Sequence, residues 1–144
     1  MMATQTYKSS CACGAVEVEI SGEPAVQAYC HCLSCRSWLG APVHAAALWP
    51  TPGVKVVKGE GNLGLYKRTD ASHRQFCRSC GAPVLVRHPQ MGMTDVPAGS
   101  VVGLAYKPTL HVNYGERVLS VRDGLPKFKD FPGDFGGSGE TLAE

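Results

Sequence analysis

Seven cysteines carry most of the chemistry that this sequence can offer. They lie in the stretches CACGAV, YCHCLSCRSW and FCRSCGAP, and form three groups: Cys11 and Cys13; Cys30, Cys32 and Cys35; Cys77 and Cys80. Closely spaced thiolates are common ligands of Zn²⁺, and in a reducing compartment such cysteines bind metal more often than they form disulfides. The odd total also argues against a framework made of disulfides alone. We therefore predict metal centres.

Two of the groups share a local pattern. Cys11/Cys13 and Cys77/Cys80 are each followed by Gly-Ala and then by a run typical of a strand. In such a turn the glycine can adopt positive φ and leave backbone amides pointing at the thiolates. Two turns facing each other would complete a tetrahedral, structural Cys₄ zinc centre across more than 60 residues of chain. Ordinary buried or disulfide-linked thiols, and iron in place of zinc, are the alternatives.

The group Cys30, Cys32 and Cys35 then has no fourth cysteine, because none follows Cys80. Structural zinc usually has four protein ligands, whereas catalytic zinc commonly keeps three and leaves one position for water or substrate. We predict an open Cys₃ zinc centre, which makes two zinc ions per chain. A site closed by a protein ligand such as a histidine, or thiol redox chemistry without metal, stays open as an alternative.

An open Cys₃ zinc centre favours one class of reaction. Three thiolates on Zn²⁺ give a formal charge of −1, so the metal is a poorer Lewis acid than a tris-histidine zinc and is better suited to bind a fourth sulfur. A thiol bound there is deprotonated at neutral pH and can add to an electrophilic carbon. The chemistry predicted is therefore the making or breaking of a C–S bond.

Three other residues are candidates for the substrate pocket. Arg36 and Trp38 lie within one short turn of Cys35, and Arg36 could meet a substrate carboxylate. His111 is the third candidate. His31 lies between two proposed ligands, and because adjacent side chains tend to point apart we interpret it as a spacer.

The elements that must position these residues are short strands. The run AVEVEI (15–20) alternates apolar and charged residues, and similar short runs include AVQAY before Cys30, VHAAALW (43–49) and APVLVR after Cys80. LSCRSWLG predicts a brief helical turn that ends at Gly40, and HVNY with VLSV predicts a late hairpin across GER. No helical period of 12 or more residues appears. The pattern predicts an all-β, or mainly β, fold.

Length and composition indicate one globular domain. We expect a single zinc-binding domain over residues 1–144, with a core at about 7–131 and a flexible tail at 132–144. No signal-like segment and no window of about 18 apolar residues appears, which predicts a cytoplasmic protein without a membrane span. The formal charge of +2 becomes −1 if seven thiolates bind two Zn²⁺, and the cations are dispersed, so a nucleic-acid partner is not expected.

These motifs together resemble those of a known family. The chain resembles the glutathione-dependent formaldehyde-activating enzymes, the family that includes centromere protein V, through C-x-C-G-A-V, C-H-C-x-x-C-R, F-C-x-x-C-G and a late H-V…D-G-L-P-K-F segment. The resemblance implies a β-tent of two antiparallel sheets stapled by zinc, related to methionine sulfoxide reductase B. It also implies a structural zinc on the four paired cysteines and a catalytic zinc on the other three.

The implied activity is that of a carbon–sulfur lyase, with condensation of formaldehyde and glutathione to S-hydroxymethylglutathione as the name-giving reaction. Glutathione, or another small thiol, and an aldehyde-type electrophile would be the partners. The alternative is a zinc-stabilised binding module for a protein or nucleic-acid partner, without catalysis. Methionine sulfoxide reductase activity ranks last, because it needs a reactive cysteine late in the chain and none follows Cys80.

Overall fold

The computed structural model describes residues 4–144, which contain eleven short strands and one α-helix. The strands are β1 (Thr6–Ser10), β2 (Glu17–Ser21), β3 (Val26–Cys30), β4 (His44–Pro50), β5 (Val54–Lys58), β6 (Leu63–Thr69), β7 (Ser72–Cys77), β8 (Pro83–His88), β9 (Met93–Asp95), β10 (Val101–Val102) and β11 (Leu110–Val112); the helix is α1 (Leu33–Leu39). The prediction of a mainly β fold with two sheets is confirmed, and so is the brief helix that ends at Gly40.

The first sheet has the strand order β10-β1-β2-β5, and its pairs are antiparallel. In β2 the side chains alternate between solvent and core, as the alternating sequence predicts: Val18 and Ile20 are buried while Glu17 and Glu19 are exposed. This alternation fixes the register of β2, since a slip of one residue would bury the two glutamates.

The second sheet has the strand order β11-β3-β4-β9-β8-β7-β6. Its pairs β6–β7, β7–β8, β8–β9 and β4–β9 are antiparallel, whereas β11 runs parallel to β3. The predicted hairpin of HVNY and VLSV is therefore wrong. The first segment supplies β11 and a 3-10 turn, Tyr114–Glu116, and residues 117–121 form no strand.

By its internal contacts the chain divides into two compact units. The first comprises Ala47–Tyr106 together with the described residues up to Val26, and its core includes Trp49, whose indole N–H donates to the Gly22 carbonyl at 2.9 Å. The second comprises Gln27–Ala46 and Lys107–Glu144. The expectation of one domain stays a prediction.

The last residues of the second unit, 132–144, make backbone hydrogen bonds to residues 127–132. The Leu142 amide donates to the Lys127 carbonyl at 2.8 Å, and the Lys129 amide donates to the Glu140 carbonyl, also at 2.8 Å. A 3-10 turn, Gly133–Phe135, lies within this segment. These contacts place residues 132–144 against the segment that begins at Lys127, and the flexibility expected there stays a prediction.

Gly59 provides a test of the turn that supports the first cysteine pair. It has φ of +76°, and a Cβ atom there would overlap the carbonyl oxygen of Ala15, two residues after Cys13. We expect Gly59→Ala to lower the free energy of unfolding by roughly 2–5 kcal/mol, through left-handed strain and the steric overlap together. Gly61→Ala is the matched control, because a Cβ atom there meets nothing within 4 Å. Denaturant unfolding of both variants measures the difference; equal midpoints would contradict it.

No helix within the described part of the chain is both long and apolar enough to cross a membrane.

Candidate metal centres and active site

The first cysteine cluster joins two turns of the first unit, one that carries Cys11 and Cys13 and one that carries Cys77 and Cys80. We call each of these turns a knuckle. The sulfur atoms of Cys11, Cys13, Cys77 and Cys80 all lie within 4.8 Å of one another. The glycine that follows each pair, Gly14 or Gly81, has φ of +77°. Each knuckle therefore uses the left-handed glycine that the Cys-Gly-Ala pattern predicts, and the two knuckles face each other.

Hydrogen-bond donors point at the sulfurs of this Cys₄ cluster. The Val16 amide donates to Cys11 Sγ at 3.2 Å, and the Asn62 side-chain amide donates to Cys77 Sγ at 3.4 Å. The backbone amides of Ala82 and Cys13 lower the pKa of the Cys80 thiol to about 6. The pKa of Cys13, in contrast, is raised to about 11: the Ala15 amide lowers it, but burial and the neighbouring sulfurs raise it more. Four thiolates together need a cation, and four sulfurs within this distance fit a tetrahedral metal ion.

The second cluster lies at the junction of β3 and α1 in the second unit. The sulfurs of Cys30, Cys32 and Cys35 also lie within 4.8 Å of one another. Cys32 is the N-cap of α1, and its sulfur accepts a hydrogen bond from the Cys35 amide at 3.3 Å. Within residues 4–144, no fourth histidine, cysteine or carboxylate joins this cluster at that distance. The Cys₃ donor set is thus one short of a closed tetrahedral site.

The electrostatics of the Cys₃ cluster also favour a bound cation. The sulfurs of Cys32 and Cys35, followed by burial, raise the pKa of the Cys30 thiol far above its ordinary value. Three thiolates this close repel one another, and a divalent metal would supply the compensating charge. One donor already favours the ionised form, since the Asn113 side-chain amide donates to Cys30 Sγ at 3.5 Å.

Comparison with known proteins places the sequence in a family. A family model described as glutathione-dependent formaldehyde-activating enzyme matches residues 6–116, which include all seven cysteines. The chain belongs to this family. A solved crystal structure of a Rhodobacter sphaeroides protein is 31% identical to the chain, covers 67% of this chain and 89% of that one, and superposes with a TM-score of 0.56. No curated protein matches the chain.

In this formaldehyde-activating family member, backbone contacts hold the CHCLSC loop from the side of β11. The His31 amide donates to the Val112 carbonyl at 3.1 Å, and the Glu116 carboxylate accepts from the Leu33 amide at 3.2 Å. Arg36 donates through Nε to the His31 carbonyl and through Nη2 to the Glu116 carbonyl, both at 3.0 Å. The pairing of β3 with β11 therefore brings residues about 80 positions apart to one loop.

The three pocket candidates differ in their surroundings. Arg36 is half-buried and braces the loop through the two bonds just described. Trp38 is half-buried on α1. His111 is fully buried. Its Nδ1 is hydrogen-bonded to His31 Nε2 at 2.8 Å, and its Nε2 is hydrogen-bonded to Asp123 Oδ2 at 2.7 Å. A role of these residues in substrate binding stays a prediction.

Sequence reasoning missed several residues that support the Cys₃ cluster. His31, interpreted as a spacer, is fully buried and bonded to His111, and burial followed by the field of His111 lowers its pKa to about 4. Asp123 and Lys127 lie in the DGLPKF segment, where the sequence marks neither of them as a site residue. Asn113 donates to Cys30 from a left-handed backbone with φ of +53°, and its position beside that sulfur depends on β11 pairing with β3.

Proposed function

We propose that the protein is a zinc-dependent carbon–sulfur lyase that acts on the adduct of an aldehyde with glutathione or another small thiol, in the manner of an S-(hydroxymethyl)glutathione synthase. The cysteines Cys30, Cys32 and Cys35 bind the reactive zinc. A second zinc stabilises the fold and is bound by Cys11, Cys13, Cys77 and Cys80. The family description, glutathione-dependent formaldehyde-activating enzyme, supports this class of reaction.

One observation carries the proposal: three sulfurs converge within 4.8 Å, and no fourth protein ligand joins them among the described residues. A site built only to stabilise the fold normally closes its tetrahedron with a fourth protein ligand, as the Cys₄ cluster can. The Cys₃ cluster leaves one coordination position for an incoming ligand. Its soft donor set and formal charge of −1 favour a thiol as that ligand.

Bound zinc would lower the pKa of the substrate thiol, so that its sulfur reacts as a thiolate at neutral pH. In the synthetic direction an S–C bond forms, the carbonyl π electrons move to oxygen, and that oxygen takes up the proton released by the thiol. In the reverse direction the S–C bond breaks and the aldehyde leaves. The protein residues position the reactants: Asn113 and the Cys35 amide stabilise charge on the ligand sulfurs, and Arg36 can offer further N–H groups to a substrate carboxylate.

The same proposal includes a cytoplasmic location and no nucleic-acid partner. Glutathione is abundant in reducing compartments, where free thiolates persist as metal ligands. With seven thiolates on two Zn²⁺ the formal net charge falls from +2 to −1, which offers no net electrostatic attraction for phosphate backbones.

Turnover and thiol binding test the proposal together. We expect elemental analysis of the purified protein to give two zincs per chain. We further expect the zinc-loaded protein to accelerate the exchange between glutathione, formaldehyde and their adduct above the spontaneous rate, as measured by NMR exchange spectroscopy. S-methylglutathione, which has no thiol, is the matched control and should neither bind nor react. An exchange rate equal to the spontaneous one with glutathione and with other small thiols would overturn the proposal.

A further inference from the structure

The CHC segment has two sides. Cys30 and Cys32 direct their sulfurs to the Cys₃ cluster, and the residue between them, His31, is fully buried. Cys32 has an extended backbone, with φ of −66° and ψ of 148°, and in extended chain successive side chains point to opposite sides. The His31 ring does not join the sulfur cluster as a ligand. The ring therefore holds the loop from the side opposite the sulfurs of Cys30 and Cys32.

Behind the loop, the His31 ring begins a chain of polar contacts in the second unit. His31 Nε2 lies 2.8 Å from His111 Nδ1, and His111 Nε2 lies 2.7 Å from Asp123 Oδ2. The other oxygen of Asp123 accepts from Lys127 Nζ and from the Leu125 amide. We call His31, His111, Asp123 and Lys127 the histidine relay.

The relay fixes where each proton resides. Burial raises the pKa of the Asp123 carboxyl, but hydrogen bonds from Lys127, His111 and the Leu125 amide lower it more. The net result is a pKa below the ordinary value, so Asp123 is ionised. An ionised Asp123 can only accept, so His111 carries its proton on Nε2 and presents the lone pair of Nδ1. His31 must then donate through Nε2. Its own Nδ1 is buried without a hydrogen-bond partner among the described residues, and is left unprotonated.

Lys127 makes this arrangement electrostatically possible. Its side chain is 1% exposed, and its Nζ pairs with Asp123 and lies 3.4 Å from Glu144 Oε1. Burying the lysine without such a partner would be costly, and its bond to Asp123, whose side chain is 28% exposed, favours the ionised form of that carboxylate. The family match ends at residue 116, so the two charged members of the relay come from the segment beyond it.

We propose that Asp123 and His111 are positioning residues for the Cys₃ centre: they hold His31 as its Nε2–H tautomer and so keep the sulfurs of Cys30 and Cys32 at metal-binding separation. The inference rests on the part of the proposed function that places a metal on Cys30, Cys32 and Cys35. Supports of this kind around metal ligands typically change metal affinity 10–100-fold when they are removed. The Cys₄ cluster belongs to the other unit, so it serves as an internal reference.

Asp123→Asn has a specific expected effect on the relay. The Asn oxygen would keep the donors Lys127 and Leu125, which turns the side-chain NH₂ group toward His111 Nε2. His111 must then accept at Nε2 and carry its proton on Nδ1, and His31 must accept in turn and carry its proton on Nδ1. Both histidines thus reverse their tautomers, and His31 carries a proton on its buried Nδ1, which has no acceptor among the described residues; this cost disfavours the ring position from which His31 holds the loop.

His111→Phe removes both hydrogen bonds of the ring while keeping a planar ring of similar size. It leaves the pair of Asp123 and Lys127 in place. Asp130→Asn is the matched control, since it makes the same change from carboxylate to amide in the same segment but bonds to Ser138 and not to the relay.

The first measurement is zinc release from the full chain to a competing chelator, with the release step of the Cys₃ centre assigned by its loss in Cys32→Ser. We expect Asp123→Asn and His111→Phe to lower zinc affinity at the Cys₃ centre about 10–100-fold and to leave the Cys₄ step as in the wild type. Asp130→Asn should change neither step. Wild-type affinity at the Cys₃ centre in both relay variants would overturn the inference, and so would equal weakening of both centres, which indicates a general structural role.

The second measurement is decided by the wild-type protein, and Asp123→Asn adds a further check. In ¹⁵N-histidine-labelled wild-type protein, the nitrogen chemical shifts should show His31 and His111 both protonated on Nε2, and in Asp123→Asn both on Nδ1. Protonation of either ring on Nδ1 in the wild type would overturn the assignment of the relay. A wild-type protein with one zinc per chain would instead contradict the proposed function, so the two failures are distinguishable.

Discussion

Replacing Cys77 by serine is expected to abolish folding under conditions in which the wild-type protein is stable. Cys77 is fully buried, and its sulfur lies 3.8 Å from that of Cys13, which is 64 residues earlier in the chain. Structural zinc sites in small domains contribute apparent binding free energies of about 10–16 kcal/mol, which is comparable to or larger than the total stability of a typical domain, about 5–15 kcal/mol. A buried hydroxyl in place of the thiolate adds a desolvation cost.

Circular dichroism and zinc content of Cys77→Ser check this prediction. Ser79→Ala is the matched control, because Ser79 is exposed in the same knuckle, contributes no sulfur and loses only the hydrogen bond that its Oγ accepts from the Asn62 side chain. We expect the control to melt close to the wild type and to hold two zincs. A Cys77→Ser protein with the wild-type melting temperature would mean that the Cys₄ cluster does not stabilise the fold.

Replacing Cys32 by serine is expected to have the opposite combination of effects: activity is lost while the fold is retained. Cys32 is only half-buried, and it caps α1 by accepting a hydrogen bond from the Cys35 amide. Serine is among the most favourable N-cap residues, so the helix start is preserved. The proposed metal centre, however, loses one of its three protein ligands.

The expected loss of turnover is large because, in the proposed reaction, the metal activates the thiol. A bound metal ion supplies several kcal/mol of transition-state stabilisation, and at 1.36 kcal/mol per tenfold this corresponds to a fall of about 10³-fold in kcat/KM. Steady-state kinetics with glutathione and formaldehyde measure it, and zinc content should fall from two per chain to one. Ser37→Ala, an exposed change on the same helix, is the control. A folded Cys32→Ser protein with wild-type turnover would exclude this centre as the site of reaction.

The two substitutions separate the roles of chemically similar clusters. The Cys₄ cluster ties sequence-distant knuckles of the first unit together, so its loss acts on folding. The Cys₃ cluster lies within six residues of one loop, Cys30 to Cys35, and its loss closes no long loop. Because of loop-closure entropy, we expect the Cys₄ cluster to contribute more to stability than the Cys₃ cluster.

The sequence by itself determined the features that depend on local spacing. The repeated Cys-Gly-Ala turns indicated which four cysteines belong together, and the structure places their sulfurs in one cluster and the other three in another. The family resemblance drawn from these motifs is confirmed. Alternation of apolar and charged residues indicated β2, and Gly40 indicated the end of α1, because both are decided by neighbours within a few residues.

Only the tertiary structure decided what lies behind the Cys₃ loop. β11 pairs in parallel with β3, some 80 residues away, where the sequence had predicted a hairpin with the residues that follow it. That pairing puts His111 beside His31 and Asn113 beside Cys30, and the segment after residue 116 then adds Asp123 and Lys127. None of His31, His111 and Lys127 lies in a pattern that shows it is buried, since histidine is intermediate in burial and lysine is usually exposed unless a partner is present. Their partners are set by long-range strand pairing, which local propensity does not encode.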